Sequence, residues 1–197
     1  MQVVLDQEIF VFPLHTVLFP DGMLPLKVFE QRYIEMTKAC LRDDRPFGVC
    51  RIKEGHEVGA AALPESVGCL ATIAQWDMPH PGLFHLVARG GQRFRILQAR
   101  VAPNDLISAR IELIPPDDVQ DKVDEVCRGI LQAVIERVGA ERFPVPLKLD
   151  DAAWVGYRLA ELLPLEPAAK QQMLETRDPQ VRLARLRAEI TRQGLAA

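Results

Sequence analysis

The 197-residue sequence contains no run of ~20 uninterrupted apolar residues, the length a helix needs to cross a bilayer. Its most hydrophobic stretch, "FVFPLHTVLFPDGMLPLKVFEQRY" (residues 10–33), is interrupted by Pro13, Pro20, Asp21, Gly22 and Pro25, which excludes a membrane helix there. The start, "MQVVLDQEIF", lacks the basic segment, long apolar run and small-residue cleavage site of a secretory signal, which predicts a chain beginning near Met1 in the cytoplasm. The four cysteines, Cys40, Cys50, Cys69 and Cys127, form no C-x-x-C pair and have no histidine at ligand spacing. They are expected to be buried, reduced thiols rather than a zinc site or a disulfide framework. His15, His56, His80 and His85 show no H-x-x-x-H or H-E-x-x-H spacing, so neither a metal nor any other cofactor is expected. Serine is limited to Ser66 and Ser108, and a net charge of -3 lacks the basic excess of a nucleic-acid binder.

What is present is enough apolar residue, 48%, to build a core in one large or two small domains. Residues 8–114 read mostly as strands. "ISARIELI" alternates, with Ile107, Ala109, Ile111 and Leu113 on one face, and "GCLATIAQWD" is apolar on both. In "FHLVARGGQRFRILQARV" the pair Gly90 and Gly91 reads as a hairpin signal. Further along, the apolar phase slips from Phe94 and Ile96 to Leu97, Ala99 and Val101. A bulge there would return both sets to the interior and curl the sheet toward a barrel. Pro20-Asp21-Gly22 predicts a turn with positive φ at Gly22, then a second strand over Leu24–Phe29 with Pro25 at its start or on an edge. A helix is predicted from Glu30 to Asp43, with Tyr33, Ile34, Thr37, Cys40 and Leu41 at helical spacing.

Beyond Pro115 and Pro116 the pattern becomes helical, placing a domain boundary near residue 116. Asp117 and Gln120 form a candidate capping box ahead of a stripe of Val119, Val123, Val126, Cys127, Ile130, Val134 and Val138, ended by Gly139. Three shorter helices follow, Asp151–Leu163, Pro167–Thr176 and Pro179–Arg192, the last two opened by proline at the first helical position. The basic last helix (Arg177, Arg182, Arg185, Arg187, Arg192) and the acids Asp117, Asp118, Asp121, Asp124 and Glu125 are expected either to attract one another within one bundle or to form solvated faces, the helix being short for a coiled-coil partner.

The opening pattern Pro13-Leu14, Pro20, Pro25-Leu26, Phe29-Glu30, Arg32-Tyr33, then Gly68-x-x-Ala71-x-Ile73, then Gly90-x-x-Arg93-Phe94, resembles the N-terminal substrate-binding domain of the ATP-dependent protease Lon. The resemblance spans roughly residues 8–193. It implies an α+β fold: a PUA-like β pseudo-barrel with one inserted helix over residues 1–116, followed by an α-helical bundle subdomain over 117–197. Lon proteases continue into an ATPase with a G-x-x-x-x-G-K-[ST] phosphate loop and a Ser-Lys protease domain. This chain ends at Ala197 with neither, and so looks like a stand-alone, non-catalytic relative.

The resemblance implies unfolded or flexible polypeptide as the partner, in a protein quality-control setting, and leaves a separate protease or chaperone open as a second partner. No nucleic-acid or membrane partner is favoured. Candidate peptide-binding residues are Phe19, Met23, Leu24, Trp76 and Met78, large apolar side chains next to turns. Glu30 and Arg32 are expected to form a structural ion pair rather than a catalytic one. Two alternatives stay open on the residues alone: RNA binding through Arg89, Arg93, Arg95 and Arg100, and a small hydrolase whose triad assembles only in space.

Overall fold

A computed structural model describes residues 8–117 and 122–194. The chain divides into two compact units, Met1–Pro115 and Pro116–Ala197.

Among the described residues the first unit holds seven strands and one helix: β1 (Ile9–Leu14), β2 (Met23–Val28), α1 (Gln31–Asp43), β3 (Phe47–Glu54), β4 (Leu63–Pro64), β5 (Val67–His80), β6 (Leu83–Val101) and β7 (Ile107–Leu113). Five of the strands close a ring. β6 pairs with both β5 and β7, β7 pairs with β1, β1 runs parallel to β3, and β3 returns to β5. The barrel expected from the sequence is therefore present; within the proline-rich opening β1 is barrel wall, while β2 pairs onto β6 outside the ring. Pro13 fits inside β1 because pairing with β7 ends at Val11, so its missing N–H interrupts no ladder on that side.

Alternation along the strands separates two cores. Ile9, Val11, Cys50, Phe94, Ile107, Ala109 and Ile111 fill the ring, whereas Phe12, Phe47, Val49, Cys69 and Ala71 pack under α1 with Tyr33, Met36 and Cys40. Phe12 and Tyr33 stack with ring centroids 4.0 Å apart. All four cysteines are buried free thiols.

Several local expectations need correcting. Gly90 and Gly91 mark no hairpin; β6 continues through them with a register shift against β5 between Cys69 and Ala71, and the β5–β6 turn is Pro81-Gly82, with Gly82 at φ 84°. Gly90 is required by close approach instead: a Cβ there would lie 2.0 Å from the Phe19 carbonyl oxygen. The turn at Pro20 forms, closed by Gly22 N–H donating to Phe19 O at 2.9 Å, but Asp21 rather than Gly22 takes the positive φ, 61°. A register shift does occur between Ile96 and Gln98. It brings Ala99 opposite the buried Ala109 and Val101 opposite the buried Ile107, yet Leu97, Ala99 and Val101 remain exposed, so the expected return of this set to the interior does not occur.

The second unit contains α2 (Glu125–Val138), α3 (Ala152–Leu162), α4 (Pro167–Glu175) and α5 (Pro179–Arg192), with a 3₁₀ turn at Ala140–Arg142. The N-cap of α2 is Asp124, which accepts from Cys127 N–H, not Asp117; Asp118, Val119, Gln120 and Asp121 lie outside the described residues. Its buried line is Cys127, Leu131 and Ile135: Cys127 belongs to the predicted stripe, whereas Leu131 and Ile135 take the places expected of Ile130 and Val134.

Asp117 is instead one half of a buried ion pair. Its carboxylate lies 2.8 Å from the Arg182 guanidinium, with both side chains buried, and accepts from the Tyr157 hydroxyl at 2.8 Å. Arg182 also donates to the carbonyls of Met173 and Thr176 and lies over the Tyr157 ring. A second link between acidic and basic segments joins Asp124 to Arg187 at 2.9 Å. Among the described residues, no helix is long and apolar enough to cross a membrane.

Candidate functional site: an edge strand between two hollows

Strand β2 pairs antiparallel with β6 along its whole length and, among the described residues, with no other strand. Its far edge is therefore open. The hydrogen bond from Gly90 N–H to Gly22 O, 2.8 Å, sets the parity of this ladder. Opposed residues alternate between bonded and non-bonded pairs. Leu24, Leu26 and Val28 consequently bond to β6, while Met23, Pro25 and Lys27 aim their backbone groups at the open edge. Pro25 sits where its missing N–H leaves no gap in the sheet, as the sequence required of an edge position.

A hollow flanks each side of this strand. One, of about 380 Å³, runs along the open edge and is lined by Leu24, Leu26, Thr16, Tyr33, Glu57 and Val58, among others. Burial pushes the Tyr33 phenol up to about 12, so it serves as a neutral wall. The other, of about 640 Å³, lies on the ribbon formed by β2, β6 and β5, against Pro25, Lys27, Trp76, Asp77, His85 and Val87. Both fall in the size range of ligand pockets, ~300–1,000 Å³.

Large apolar side chains are left uncovered around them: Phe29 is 58% exposed, Trp76 55% and Met23 45%. Exposed aromatics concentrated on one ribbon differ from singly scattered ones, which need no explanation. Trp76 keeps a ring contact with Phe84, centroids 5.9 Å apart, so the indole is held rather than free to swing.

The sequence candidates divide accordingly. Leu24 lines the edge groove, Trp76 lines the second hollow, Met23 opens strand β2, and Met78 is exposed toward the end of β5 without lining either hollow. Phe19 is 0% exposed and has no surface to present to a polypeptide. Sequence reasoning missed Phe29 and Val58. Phe29 stands at the strand-to-helix junction of the opening motif, a usable signal, whereas nothing around Val58 announced it.

Glu30 and Arg32 form the structural pair expected, 3.0 Å apart. Arg32 is buried, donates to Asp105 O at 3.1 Å and lies over Tyr33, while the Glu30 carboxylate accepts from Gly59 N–H. Together they tie the start of α1 to two loops. Of the arginines considered for RNA, Arg89 pairs with Asp21, Arg100 pairs with Glu8, Arg93 is buried and Arg95 is exposed. Ser108 donates to Glu8 on the surface. Among the described residues no group of His, Cys, Asp or Glu could hold a metal ion.

A family model described as the ATP-dependent protease La (LON) substrate-binding domain matches residues 8–192. The chain belongs to the Lon substrate-binding domain family. It is 31% identical over 186 residues to Lon protease of Anaeromyxobacter dehalogenans (strain 2CP-C), covering 88% of this chain but 22% of that protein. With Lon protease of Escherichia coli (strain K12) it shares 28% identity over 191 residues, 92% of this chain and 24% of that protein. The chain thus spans about a quarter or less of the length of these relatives.

Among solved structures, a Lon N-terminal domain protein from Xanthomonas campestris superposes with TM-score 0.75 at 37% identity, covering 92% of this chain and 98% of that one. The N-terminal domain of Mycobacterium avium complex Lon protease shares the fold, with TM-score 0.63 at 20% identity over 91% of this chain and 96% of that one.

Proposed function

We propose that this member of the Lon substrate-binding domain family is a binding module for unfolded or flexible polypeptide, acting in cytoplasmic protein quality control, with apolar segments held at the ribbon of β2, β6 and β5. The observation that carries this reading is the exposure of Phe29, Trp76 and Met23 around two hollows that share β2. An unfolded chain offers apolar side chains and unpaired backbone together, and this surface has places for both. A folded client offers neither, so the module discriminates by conformation.

The test uses one client in two states, for example a disulfide-containing protein native or reduced and alkylated. Fluorescence anisotropy is expected to show micromolar-scale binding of the unfolded form, about -8 kcal/mol, and none of the native form. Equal binding of both states, or of neither, would contradict the proposal.

A further inference from the structure

The geometry points to strand addition at β2: the polypeptide docks as an extended strand against the open edge, with apolar residues at alternate positions and a basic residue beside Val28–Glu30. This inference rests on the polypeptide-binding reading and specifies how that site works.

Three observations carry it. The first is the backbone. Met23 and Lys27 each direct an N–H and a C=O to the open edge, and Pro25 directs a C=O alone. A neighbouring strand can satisfy these groups at regular spacing because β2 pairs with β6 over Met23–Val28 without a register shift. The stretch of β5 beyond Ala71, also unpaired by β3, shifts register at Ile73/Gln75 and again at Asp77/His80. Such irregularities protect a strand edge from pairing. β2 lacks that protection apart from the single proline.

The second is the groove running beside that edge, whose floor is the apolar core surface of Phe12, Leu14, Leu24, Leu26 and Tyr33. Side chains of an added strand alternate between its two faces, so every second residue points into this groove. An apolar-polar alternation is the pattern that fits.

The third is charge. Around the Val28–Glu30 end stand the carboxylates of Glu30, Glu35, Glu57 and Asp105, against only Lys27 and the buried Arg32 among the residues lining the groove and the adjoining hollow. An excess of negative charge there favours a lysine or arginine on the incoming chain.

The test uses a peptide of about eight residues, long enough at ~3.3 Å per residue to run the length of β2, with alternating leucine and threonine and one terminal arginine. Two further versions carry backbone N-methyl groups on the odd or on the even residues. Methylation keeps the side chains but removes donors, so one of these versions is expected to lose about tenfold or more in affinity, as several hydrogen bonds are lost together. The Met23 and Lys27 amides are expected to become protected from hydrogen exchange in the complex. Replacing the arginine by glutamate should weaken binding roughly two- to fivefold at low salt, less at high salt. In the protein, Pro25→Val restores the missing donor and should tighten binding about two- to tenfold.

Equal binding of all methylated versions, with Met23 and Lys27 still exchanging, would overturn strand addition while leaving polypeptide binding intact. So would failure of every peptide while an unfolded client still binds. Failure of peptides and unfolded client alike would remove both.

Discussion

Gly90→Ala isolates the backbone contact that holds the β2 edge in place. The added Cβ would sit 2.0 Å from the Phe19 carbonyl oxygen, and 3.0 Å from its carbon, so the Phe19–Gly22 turn must move by about 1 Å to reach ordinary contact. That movement strains two hydrogen bonds, Asp21 N–H to Gly90 O at 2.9 Å and Gly90 N–H to Gly22 O at 2.8 Å. Each contributes about 1 kcal/mol, and replacing glycine by alanine recovers ~0.4–1 kcal/mol through the unfolded chain. With residual overlap included, a net loss of about 2 kcal/mol follows. Gly91→Ala is the control, because its nearest neighbours would lie at 3.5 and 3.7 Å, ordinary contact distances. Urea denaturation followed by far-UV circular dichroism should show a lower midpoint for Gly90→Ala and little change for Gly91→Ala. Equal midpoints would refute the claim that the turn is seated on Gly90.

In the helical unit, Asp117→Ala leaves Arg182 buried without its carboxylate and is expected to cost about 3–5 kcal/mol by denaturant titration, more than the surface substitution Asp150→Ala. Burial pushes Cys40 up to about 11 and Cys127 up to about 12. A folded-state value raised above the ordinary thiol near 9 gives stability that is intact below pH 9 and declines as pH rises toward 11, because the unfolded chain ionises first. Denaturation midpoints at about pH 8 and about pH 10.5 check the sign, and a stability that rises over this interval would contradict it. Trp76→Ala should weaken binding of an unfolded client by about 1–2 kcal/mol, measured by anisotropy, while leaving the unfolding free energy from urea titration within about 0.5 kcal/mol of the parent.

Local signals in the sequence were read most accurately where one residue type permits one geometry. Proline at the first turn marked α4 and α5 at Pro167 and Pro179, and the strand-to-helix switch at Glu30 agrees with α1 beginning at Gln31. Ambiguity arose where two structures share a signature. A glycine pair serves a hairpin or a close approach, and only the position of Phe19 in space distinguishes them at Gly90. In α2 an apolar arc containing Val126, Cys127, Ile130, Leu131, Val134 and Ile135 is too wide for periodicity to choose its buried line.

The candidate site was half legible for a related reason. Leu24 and Trp76 were found as large apolar residues near turns, a criterion that also selected Phe19, whose burial depends on contacts no local pattern reports. Whether an edge is open depends on the absence of a neighbouring strand. That is decided by pairings such as Met23 with Arg89, far apart in the chain.

Where the polypeptide sits is read most directly from a backbone amide shift map of the isotopically labelled protein titrated with an unfolded client. Binding at the β2 ribbon predicts that the largest changes fall on Met23–Phe29, Val58 and the Trp76 region of β5. Changes concentrated instead on the exposed Leu63, Leu97 and Val101, or on the helices of Pro116–Ala197, would move the polypeptide site elsewhere and contradict its assignment to β2.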